Sequence, residues 1–240
     1  MKKLTILIPC YNEEKGIGKV IEAIPKEKLE SLGYQPHVLV IDNNSKDKTS
    51  DVARHAGAHV IFEKKQGKGH AIRTGIRSIP QDTDIVVMLD GDNSYRPQEM
   101  LRLIEPLDNG FSDVAIGTRL GGRIIGGSMP TFNRAGNWFF TFLVRTCYQG
   151  NVTDVCTGYF AWKKEVLTQL AKYLESDGFS IEMEMITKMA RMNFEIISVP
   201  ITYKKRAGES HLKPFGDGKK ILHAWMRNLF WQPYAKHKGS

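Results

Sequence analysis

The sequence predicts an α/β fold in which helices flank an open, mostly parallel β-sheet. Short apolar runs recur along the first half with helical patterns between them, the alternation typical of parallel strands and their crossover helices. Polar residues suited to chemistry follow four of the first five runs, where an open sheet of this kind binds its ligand. The 240 residues, 41% hydrophobic and 25% charged, suffice for one well-cored domain and exclude a disordered or fibrous chain.

Five strands and four helices are expected in the first half, residues 1–120. The apolar runs that predict strands are residues 4–8, 38–41, 59–62, 85–89 and 114–116. The intervening segments with helical spacing are residues 16–31, 49–56, 69–78 and 97–107. Pro97 stands in the first turn of the last segment, where the N–H that proline lacks has no helical partner to lose.

The second half, residues 121–240, begins less regularly. A flexible loop is predicted by Gly121, Gly122, Gly126, Gly127 and Pro130. Helices are then expected at residues 133–148, 181–192 and 219–230, strands at 159–162 and 196–199, and a basic loop at 204–213. Because the sequence contains no repeat, low-complexity tract or interdomain linker, we expect residues 1–240 to form a single domain.

The net charge of +8 is unevenly distributed. Residues 1–120 hold 17 lysines and arginines against 17 acidic residues, whereas residues 121–240 hold 17 against 9. An excess confined to one half indicates a region that meets something anionic, such as a phosphate group or an acidic membrane surface.

The sequence predicts a chain without a transmembrane segment, because its uncharged stretches reach only eleven residues. The apolar run at the N-terminus is about six residues long and lacks a small-residue cleavage site, so it predicts a strand and not a signal peptide. Cys10, Cys147 and Cys156 are odd in number and form no C-x-x-C pair, which argues against a disulfide framework or a cysteine-based zinc site. We therefore expect a cytoplasmic protein.

A pair of aspartates gives the strongest chemical signal. Asp90 and Asp92 stand one residue apart, directly after the fourth predicted strand. Two carboxylates this close repel each other unless a cation lies between them. Carboxylate oxygens suit Mg²⁺ or Mn²⁺, and such a cation can bridge a diphosphate. The pair therefore predicts a metal site, with a solvated turn as the alternative.

Polar residues also follow the other strands. Residues 9–13 follow the first strand and Asp42 ends the second. Lys68 stands between Gly67 and Gly69 at the start of a predicted helix, whose N-terminus could face an anion. The sequence contains neither G-x-G-x-x-G nor G-x-x-x-x-G-K-[ST], which disfavours a dinucleotide fold and a Walker-type phosphate loop.

These motifs occur in an order that resembles a known family. They are IPCYNEE, VIDNNSKDKT, GKGHAIRTG, LDGDNS, IGTR, DVCTGYFAWKKEVL and KRAGESHLK, which lie between residue 5 and about residue 213. The chain resembles the family-two glycosyltransferases with the GT-A fold, close to the polyprenyl-phosphate (dolichol-phosphate) sugar synthases. The resemblance implies a nucleotide-binding half followed by an acceptor-binding half.

The resemblance also implies roles for residues of the first half. The base and ribose of a nucleotide sugar would be held by Pro9, Tyr11, Asn12, Glu13 and Asp42. Lys68 would lie near the diphosphate, while Asp90 and Asp92 would carry the metal. Ser94 stands where relatives have a glutamine or similar side chain that completes the metal site, and it would act there directly or through a water.

In the second half, the resemblance implies that Arg119, Arg134 and Arg206 hold the phosphate of the acceptor. Arginine suits this task because its planar guanidinium pairs with two phosphate oxygens at once. Asp154 matches an acidic position of the family, where it would orient an arginine or act as a base.

The expected reaction is the inverting, metal-dependent transfer of a sugar from a nucleotide sugar to a polyprenyl phosphate such as dolichyl or undecaprenyl phosphate. The resemblance around GDNSY implies a UDP-linked glucose or N-acetylglucosamine as donor in preference to GDP-mannose. One alternative is a soluble transferase with a hydroxyl acceptor, for which Asp154 would be the base. A non-catalytic protein that binds nucleic acid is a remote alternative, which leaves Asp90 and Asp92 without a role.

Two aromatic helices predict peripheral contact with the cytoplasmic face of a membrane. The first carries Trp138, Phe139, Phe140, Phe142 and Leu143. The last carries Ile221, Leu222, Trp225, Leu229, Phe230 and Trp231 beside Lys219, Lys220 and Arg227. Aromatic residues with flanking cations are typical of interfacial helices. Packing of both helices against the sheet is the alternative.

Overall fold

The computed structural model describes residues 1–148 and 151–233, which form one seven-stranded sheet and nine α-helices. The strands are β1 (Lys2–Cys10), β2 (Tyr34–Asp42), β3 (His59–Phe62), β4 (Ile85–Met88), β5 (Val114–Ile124), β6 (Phe160–Lys163) and β7 (Ile196–Tyr203). The helices are α1 (Ile17–Glu22), α2 (Lys26–Ser31), α3 (Thr49–His55), α4 (Lys68–Ser78), α5 (Met100–Asp108), α6 (Thr131–Tyr148), α7 (Lys164–Leu170), α8 (Ile181–Arg191) and α9 (Pro214–Asn228).

The strands lie in the order β3-β2-β1-β4-β6-β5-β7. Neighbouring strands are parallel except at β6, which runs antiparallel to both β4 and β5. The predicted open, mostly parallel sheet is confirmed. Since β1, β2 and β4 are parallel, the polar segments that follow them meet at one edge of the sheet.

The hydrophobic core has two layers, one on each face of the sheet. Successive side chains of a strand point to opposite faces, so Ile6 and Ile8 pack under α1 and α5 while Leu7 packs under α4. Helices α6 to α9 cover the same face as α4. The strands that lead to the site are therefore fixed from both sides.

Two predicted helical regions differ from the structure. The helix expected at residues 16–31 is divided into α1 and α2, because Pro25 lies between them and proline disfavours a helical conformation of the preceding residue. The prediction missed α7, which begins directly after β6 without a turn signal. The last helix begins at Pro214, earlier than expected, with proline in its first turn.

The loop predicted from residue 121 begins later, because β5 continues to Ile124. A Cβ atom at Gly122 would lie 2.1 Å from the carbonyl oxygen of Ile201 on β7, so glycine allows the two strands to approach this closely. Their pairing shifts register between Thr118 and Arg123. Gly121 and Gly122 therefore belong to an irregular strand pair and not to a loop.

Candidate active site

Asp92 is held in a tight turn after β4 and is only 2% exposed. Its Oδ1 atom accepts hydrogen bonds from the amide of Ser94 at 2.8 Å and from the Ser94 hydroxyl at 2.5 Å. Its Oδ2 atom pairs with the guanidinium of Arg206, which lies in the loop after β7. Ser94 thus orients the Asp92 carboxylate, and a direct contact of Ser94 with a metal stays a prediction.

Asp90 belongs to a partly buried row of charged side chains. The Nζ atom of Lys68, at the start of α4, lies 2.8 Å from Asp90 Oδ1 and 2.6 Å from Oε1 of Glu182 on α8. Burial alone would lower the pKa of Lys68, but the two carboxylates outweigh it and the pKa is raised. Lys68 therefore stays charged and holds both acidic side chains in place.

Glu13 lies in the segment that follows β1, and its Oε1 atom is 3.9 Å from the guanidinium of Arg206. Its Oε2 atom is buried and finds no hydrogen-bond partner among the described residues. Burial raises the pKa of Glu13 to about 8, and the nearby Asp92 carboxylate adds to the shift while Arg206 opposes it. At neutral pH the group is therefore largely protonated.

The raised pKa of Glu13 predicts a pH-dependent stability. The unfolded chain releases this proton near pH 4.5 and the folded protein near pH 8, so the folded state binds more protons between these values. Its free energy of unfolding then falls as the pH rises through that window. Glu13→Gln lacks the titration, so its stability relative to wild type should increase between about pH 6 and about pH 9.

Urea denaturation of both proteins in the presence of a chelator checks this expectation. Glu30→Gln, at an exposed position on α2, is the control and should follow wild type at both pH values. The same difference between Glu13→Gln and wild type at both pH values would contradict the assignment.

A first cavity of about 220 Å³ opens beside these groups. It is lined by five of the residues predicted to bind a nucleotide, namely Pro9, Tyr11, Glu13, Lys68 and Asp90. His211 closes one side, where its ring packs against Tyr11 with 5.0 Å between the ring centroids. The structure thus brings together residues from four segments that are distant in the sequence.

Asp42 and Asn12 are outside the lining of this cavity. The Asp42 carboxylate accepts hydrogen bonds from the amide of Ser45 at 2.9 Å and from the hydroxyl of Ser50. Asn12 accepts one from the amide of Lys46 at 2.8 Å. Both side chains hold the loop between β2 and α3 in place, and their predicted contact with a nucleotide stays a prediction.

Two amides at the start of α4 are occupied by acceptors within the protein, and an anion at this helix N-terminus stays a prediction. The amide of Gly67 donates to the side-chain oxygen of Asn43 at 2.7 Å, and that of Gly69 donates to the carbonyl of Asp177 at 2.8 Å. A Cβ atom at Gly69 would lie 1.9 Å from the carbonyl oxygen of Ser176. The glycines allow the segment before α8 to pack directly on α4, and they fix Lys68 between the two.

A second cavity of about 190 Å³ adjoins the first. Lys68, Asp90, Phe179 and Arg206 line both cavities, so these residues mark the place where they meet. The second cavity continues past Arg119 toward α6 and α9. The two cavities thus adjoin at Asp90, and Asp92 lines the second of them.

Arg119 is fixed by a buried network at the wall of the second cavity. Its Nε and one terminal nitrogen each lie 2.8 Å from an oxygen of Asp154, which is 0% exposed. Asp154 Oδ1 also accepts a hydrogen bond of 2.7 Å from Asn137 on α6. Burial alone would lower the pKa of Arg119, but Asp154 outweighs it and the pKa is raised. The geometry is that of an aspartate that orients an arginine.

Arg206 and Arg119 both line the second cavity, as predicted for residues that hold one phosphate. Arg134 does not join them there. It lies in the first turns of α6 with an exposed side chain, outside the lining of either cavity as the described residues form it. Its contact with an acceptor stays a prediction.

Exposed aromatic side chains lie on α6 and at the start of α9, and one of them, Phe132, lines the second cavity. We call these side chains the aromatic rim, which consists of Phe132, Trp138, Phe139, Phe142 and Phe215. Trp138 stacks on Phe142 at 5.9 Å between centroids, and Phe132 packs on Phe215 of α9 at 5.1 Å.

The last helix is divided between surface and core. The core of the sheet is in contact with three of the helix's predicted membrane-facing residues, Ile221, Trp225 and Leu229. This packing agrees with the alternative stated for the helix, that it packs against the sheet. Phe230, in contrast, is exposed. Lys219 and Lys220 are exposed on the same helix. Among the described residues, no helix is long and apolar enough to cross a membrane.

Several residues of the site were missed in the sequence. Asn43 follows Asp42 and fixes the loop before α4. Asn137 on α6 donates the hydrogen bond to Asp154 that is described above. Glu182 and Phe179 lie at the junction of the cavities. A buried acid in an apolar helix, as in SIEMEM, is the signal that could have identified Glu182.

Residues 5–178 match the family described as Glycosyl transferase family 2. The fold and the two carboxylates at the end of β4 agree with this match. The chain belongs to glycosyltransferase family 2, and it is a glycosyltransferase.

Two relatives span nearly the whole chain. A dolichyl-phosphate hexose transferase of Haloferax volcanii is 32% identical over 220 residues, which cover 91% of this chain and 90% of the relative. An undecaprenyl-phosphate mannosyltransferase of Micrococcus luteus is 32% identical over 257 residues, which cover 100% of both.

Among solved structures, the glucosyl-3-phosphoglycerate synthase of Mycobacterium tuberculosis is similar with a TM-score of 0.74 and 20% identity, over 95% of this chain and 81% of that chain. A crystal structure of the same enzyme with Mn²⁺, UDP and phosphoglyceric acid has a TM-score of 0.74 and 21% identity, over 95% of this chain and 79% of that chain. These similarities support the GT-A fold.

Proposed function

We propose that this glycosyltransferase moves a hexose from a nucleoside diphosphate sugar, UDP-linked in preference to GDP-linked, to the phosphate of a polyprenyl lipid. The observation that carries the proposal is the pair of adjoining cavities that meet at Asp90, Lys68 and Arg206. One cavity is lined by residues of the nucleotide motifs, and the other is lined in part by Arg119, Arg206 and Phe132 of the aromatic rim. The two relatives named for dolichyl and undecaprenyl phosphate support a lipid phosphate as acceptor.

Asp90 and Asp92 fit a divalent cation by their chemistry. Mg²⁺ and Mn²⁺ prefer oxygen ligands, and Mg²⁺ is commonly bound by one or two carboxylates together with substrate phosphates. The described residues contain no group of three or more histidine, cysteine, aspartate or glutamate side chains that could hold a metal by themselves. The protein would therefore supply two carboxylates and the donor diphosphate would supply further oxygens. A bound cation would neutralise charge on the leaving diphosphate.

The acceptor phosphate needs orientation more than deprotonation. A phosphate monoester with a second pKa of about 6 is largely dianionic at neutral pH, so its oxygen can attack the anomeric carbon without a general base. Arg119, held by Asp154, and Arg206 would hold the remaining phosphate oxygens in line with that carbon. Attack from the side opposite the leaving diphosphate inverts the anomeric centre.

The same geometry speaks against Asp154 as the base for a hydroxyl acceptor. Such an acceptor needs a base, and Asp154 was the candidate. Asp154 is fully buried, and Arg119 and Asn137 occupy both of its oxygens. We therefore assign Asp154 the role of positioning Arg119.

The aromatic rim would place the enzyme at a membrane surface, where the lipid acceptor lies. Trp138 and Phe142 stack on one exposed face of α6, next to the exposed cation Arg145. Aromatic residues beside cations favour the interface of an anionic membrane. Peripheral binding of this kind agrees with an acceptor whose phosphate enters the second cavity while its chain stays in the lipid.

We expect the double variant Trp138→Ala/Phe142→Ala to bind vesicles of phosphatidylglycerol about tenfold more weakly than wild type, because two aromatic side chains no longer leave water. Sedimentation with such vesicles at low and high salt measures this. Phe111→Ala is the control, since Phe111 is 72% exposed but lies outside the rim. Equal recovery of wild type in the supernatant with and without vesicles would contradict membrane binding.

A donor screen tests the nucleotide part of the proposal. UDP, GDP and their hexose conjugates are added with Mn²⁺, and the melting temperature is recorded. A ligand present at 100 times its dissociation constant stabilises the fold by about 2.7 kcal/mol, which is readily measured. We expect stabilisation by the UDP series that requires Mn²⁺ and is lost in Asp92→Asn. No stabilisation by any nucleotide would contradict the proposed function.

A further inference from the structure

We infer that Glu182 contacts the transferred sugar and makes the enzyme select an uncharged hexose over a hexuronate. This inference rests on the proposed function, because it concerns the donor at the same site. It assigns a role to a residue that the motifs of the first half do not include.

The position of Glu182 follows from where the two cavities meet. In the proposed reaction, the anomeric carbon lies between the donor diphosphate in the first cavity and the acceptor phosphate in the second. The sugar therefore lies at the junction marked by Lys68, Asp90 and Phe179. Glu182 lines the second cavity at this junction, directly across Lys68 from Asp90.

The Glu182 carboxylate has capacity to bind sugar hydroxyls. It is only 4% exposed, and the side-chain partner of its Oε1 atom is Lys68 at 2.6 Å. An ionised carboxylate offers about four acceptor positions, so one ammonium contact leaves room for hydroxyl donors. A sugar hydroxyl that replaces water at a buried carboxylate forms a charge-assisted hydrogen bond.

The charges around the junction give the selectivity. Lys68 carries one positive charge between two carboxylates, those of Asp90 and Glu182. Asp92 is paired with Arg206, and both aspartates would be shared with the metal and the diphosphate. Glu182 is then the acidic group that faces the sugar. A hexuronate would bring a second carboxylate next to it, and like charges in a buried site disfavour binding.

A purely structural role for Glu182 makes a different prediction. If Glu182 only anchored Lys68, its replacement would disturb the diphosphate site, and UDP and UDP-sugars would lose affinity equally. If Glu182 contacts the sugar, the loss is confined to ligands that carry the sugar, and the charge of the sugar matters. The two roles are therefore separated by comparing ligands and not by activity.

The experiment measures dissociation constants by calorimetry in Mn²⁺ for UDP, UDP-glucose and UDP-glucuronate. The proteins are wild type, Glu182→Gln, which keeps the shape and removes the charge, and the control Glu175→Gln. Glu175 lies on the same segment with an exposed carboxylate that pairs with Arg227 at 3.1 Å. The melting temperature of each protein verifies its fold. If wild type prefers GDP to UDP, the GDP-linked hexose and its uronate replace the UDP pair.

We expect Glu182→Gln to bind UDP within twofold of wild type and UDP-glucose about fivefold to tenfold more weakly, because a neutral amide is a poorer acceptor. We expect its preference for UDP-glucose over UDP-glucuronate to fall about tenfold or more, while Glu175→Gln retains the wild-type preference. An unchanged preference, or an equal loss for UDP and UDP-glucose, would overturn the inference alone. Failure of wild type to bind any nucleotide sugar would instead overturn the proposed function.

Discussion

Replacing Asp92 by asparagine is expected to lower the rate of sugar transfer by about a hundredfold or more while the protein remains folded. The change preserves the shape of the side chain and removes one of the two charges that fit the cation. A metal interaction with the leaving diphosphate can contribute several kcal/mol in the transition state, and each 1.36 kcal/mol is tenfold in rate. Initial rates with a labelled nucleotide sugar measure the loss.

The structure adds a second consequence for the same variant. Asp92 pairs with Arg206 and accepts two hydrogen bonds from Ser94, so it is stabilised even without a metal. The metal-free variant should therefore melt somewhat below wild type. Asp82→Asn, which alters an exposed aspartate that pairs with Lys3, is the control and should retain full activity. Activity of Asp92→Asn within a few-fold of wild type would show that the aspartates are an ordinary turn.

The largest effect on stability is expected for Asp154→Ala. The substitution leaves the guanidinium of Arg119 buried without its partner, which costs about 3–5 kcal/mol in comparable buried pairs. It also removes the acceptor of the Asn137 side chain, and with it a link between α6 and β5. Urea denaturation should record the loss as a lower free energy of unfolding.

A double variant separates the charge from the packing. Arg119→Met in the Asp154→Ala background removes the unpaired cation, so it should recover part of the lost stability. Asp82→Ala, which breaks an exposed pair, should leave the free energy of unfolding nearly unchanged. If Asp154→Ala and Asp82→Ala cost the same, the buried network does not stabilise the fold as its geometry indicates.

The elements of the fold were largely accessible from the sequence because each leaves a local signal. The apolar runs that became β1 and β4 have the length of buried strands, and Pro97 marks the start of a helical segment. The start of α4 shows the limit of local signals. Gly67 and Gly69 match the pattern of an anion-binding turn, but here they accommodate the backbone before α8. That contact joins segments about 100 residues apart, and no local pattern records it.

The site was predictable where a residue sits at the end of a strand and less so where it sits on a helix. Asp90 and Lys68 meet because β4 and α4 lie at the same edge of the sheet. Glu182 reaches them from α8, and Asn137 reaches Asp154 from α6, through packing that depends on the whole second half. Arg134 shows the reverse case, in which a motif residue lies outside both cavities.

The central claim is that the acceptor is a lipid phosphate, and one transfer assay tests it directly. Wild type is incubated with Mn²⁺ and a labelled UDP-hexose in vesicles that contain either polyprenyl phosphate or the same polyprenol without phosphate. Parallel reactions offer soluble sugars with free hydroxyls. We expect label in the lipid fraction only with polyprenyl phosphate, and its loss in Asp92→Asn. Label on a soluble hydroxyl acceptor, with none on polyprenyl phosphate, would contradict the claim.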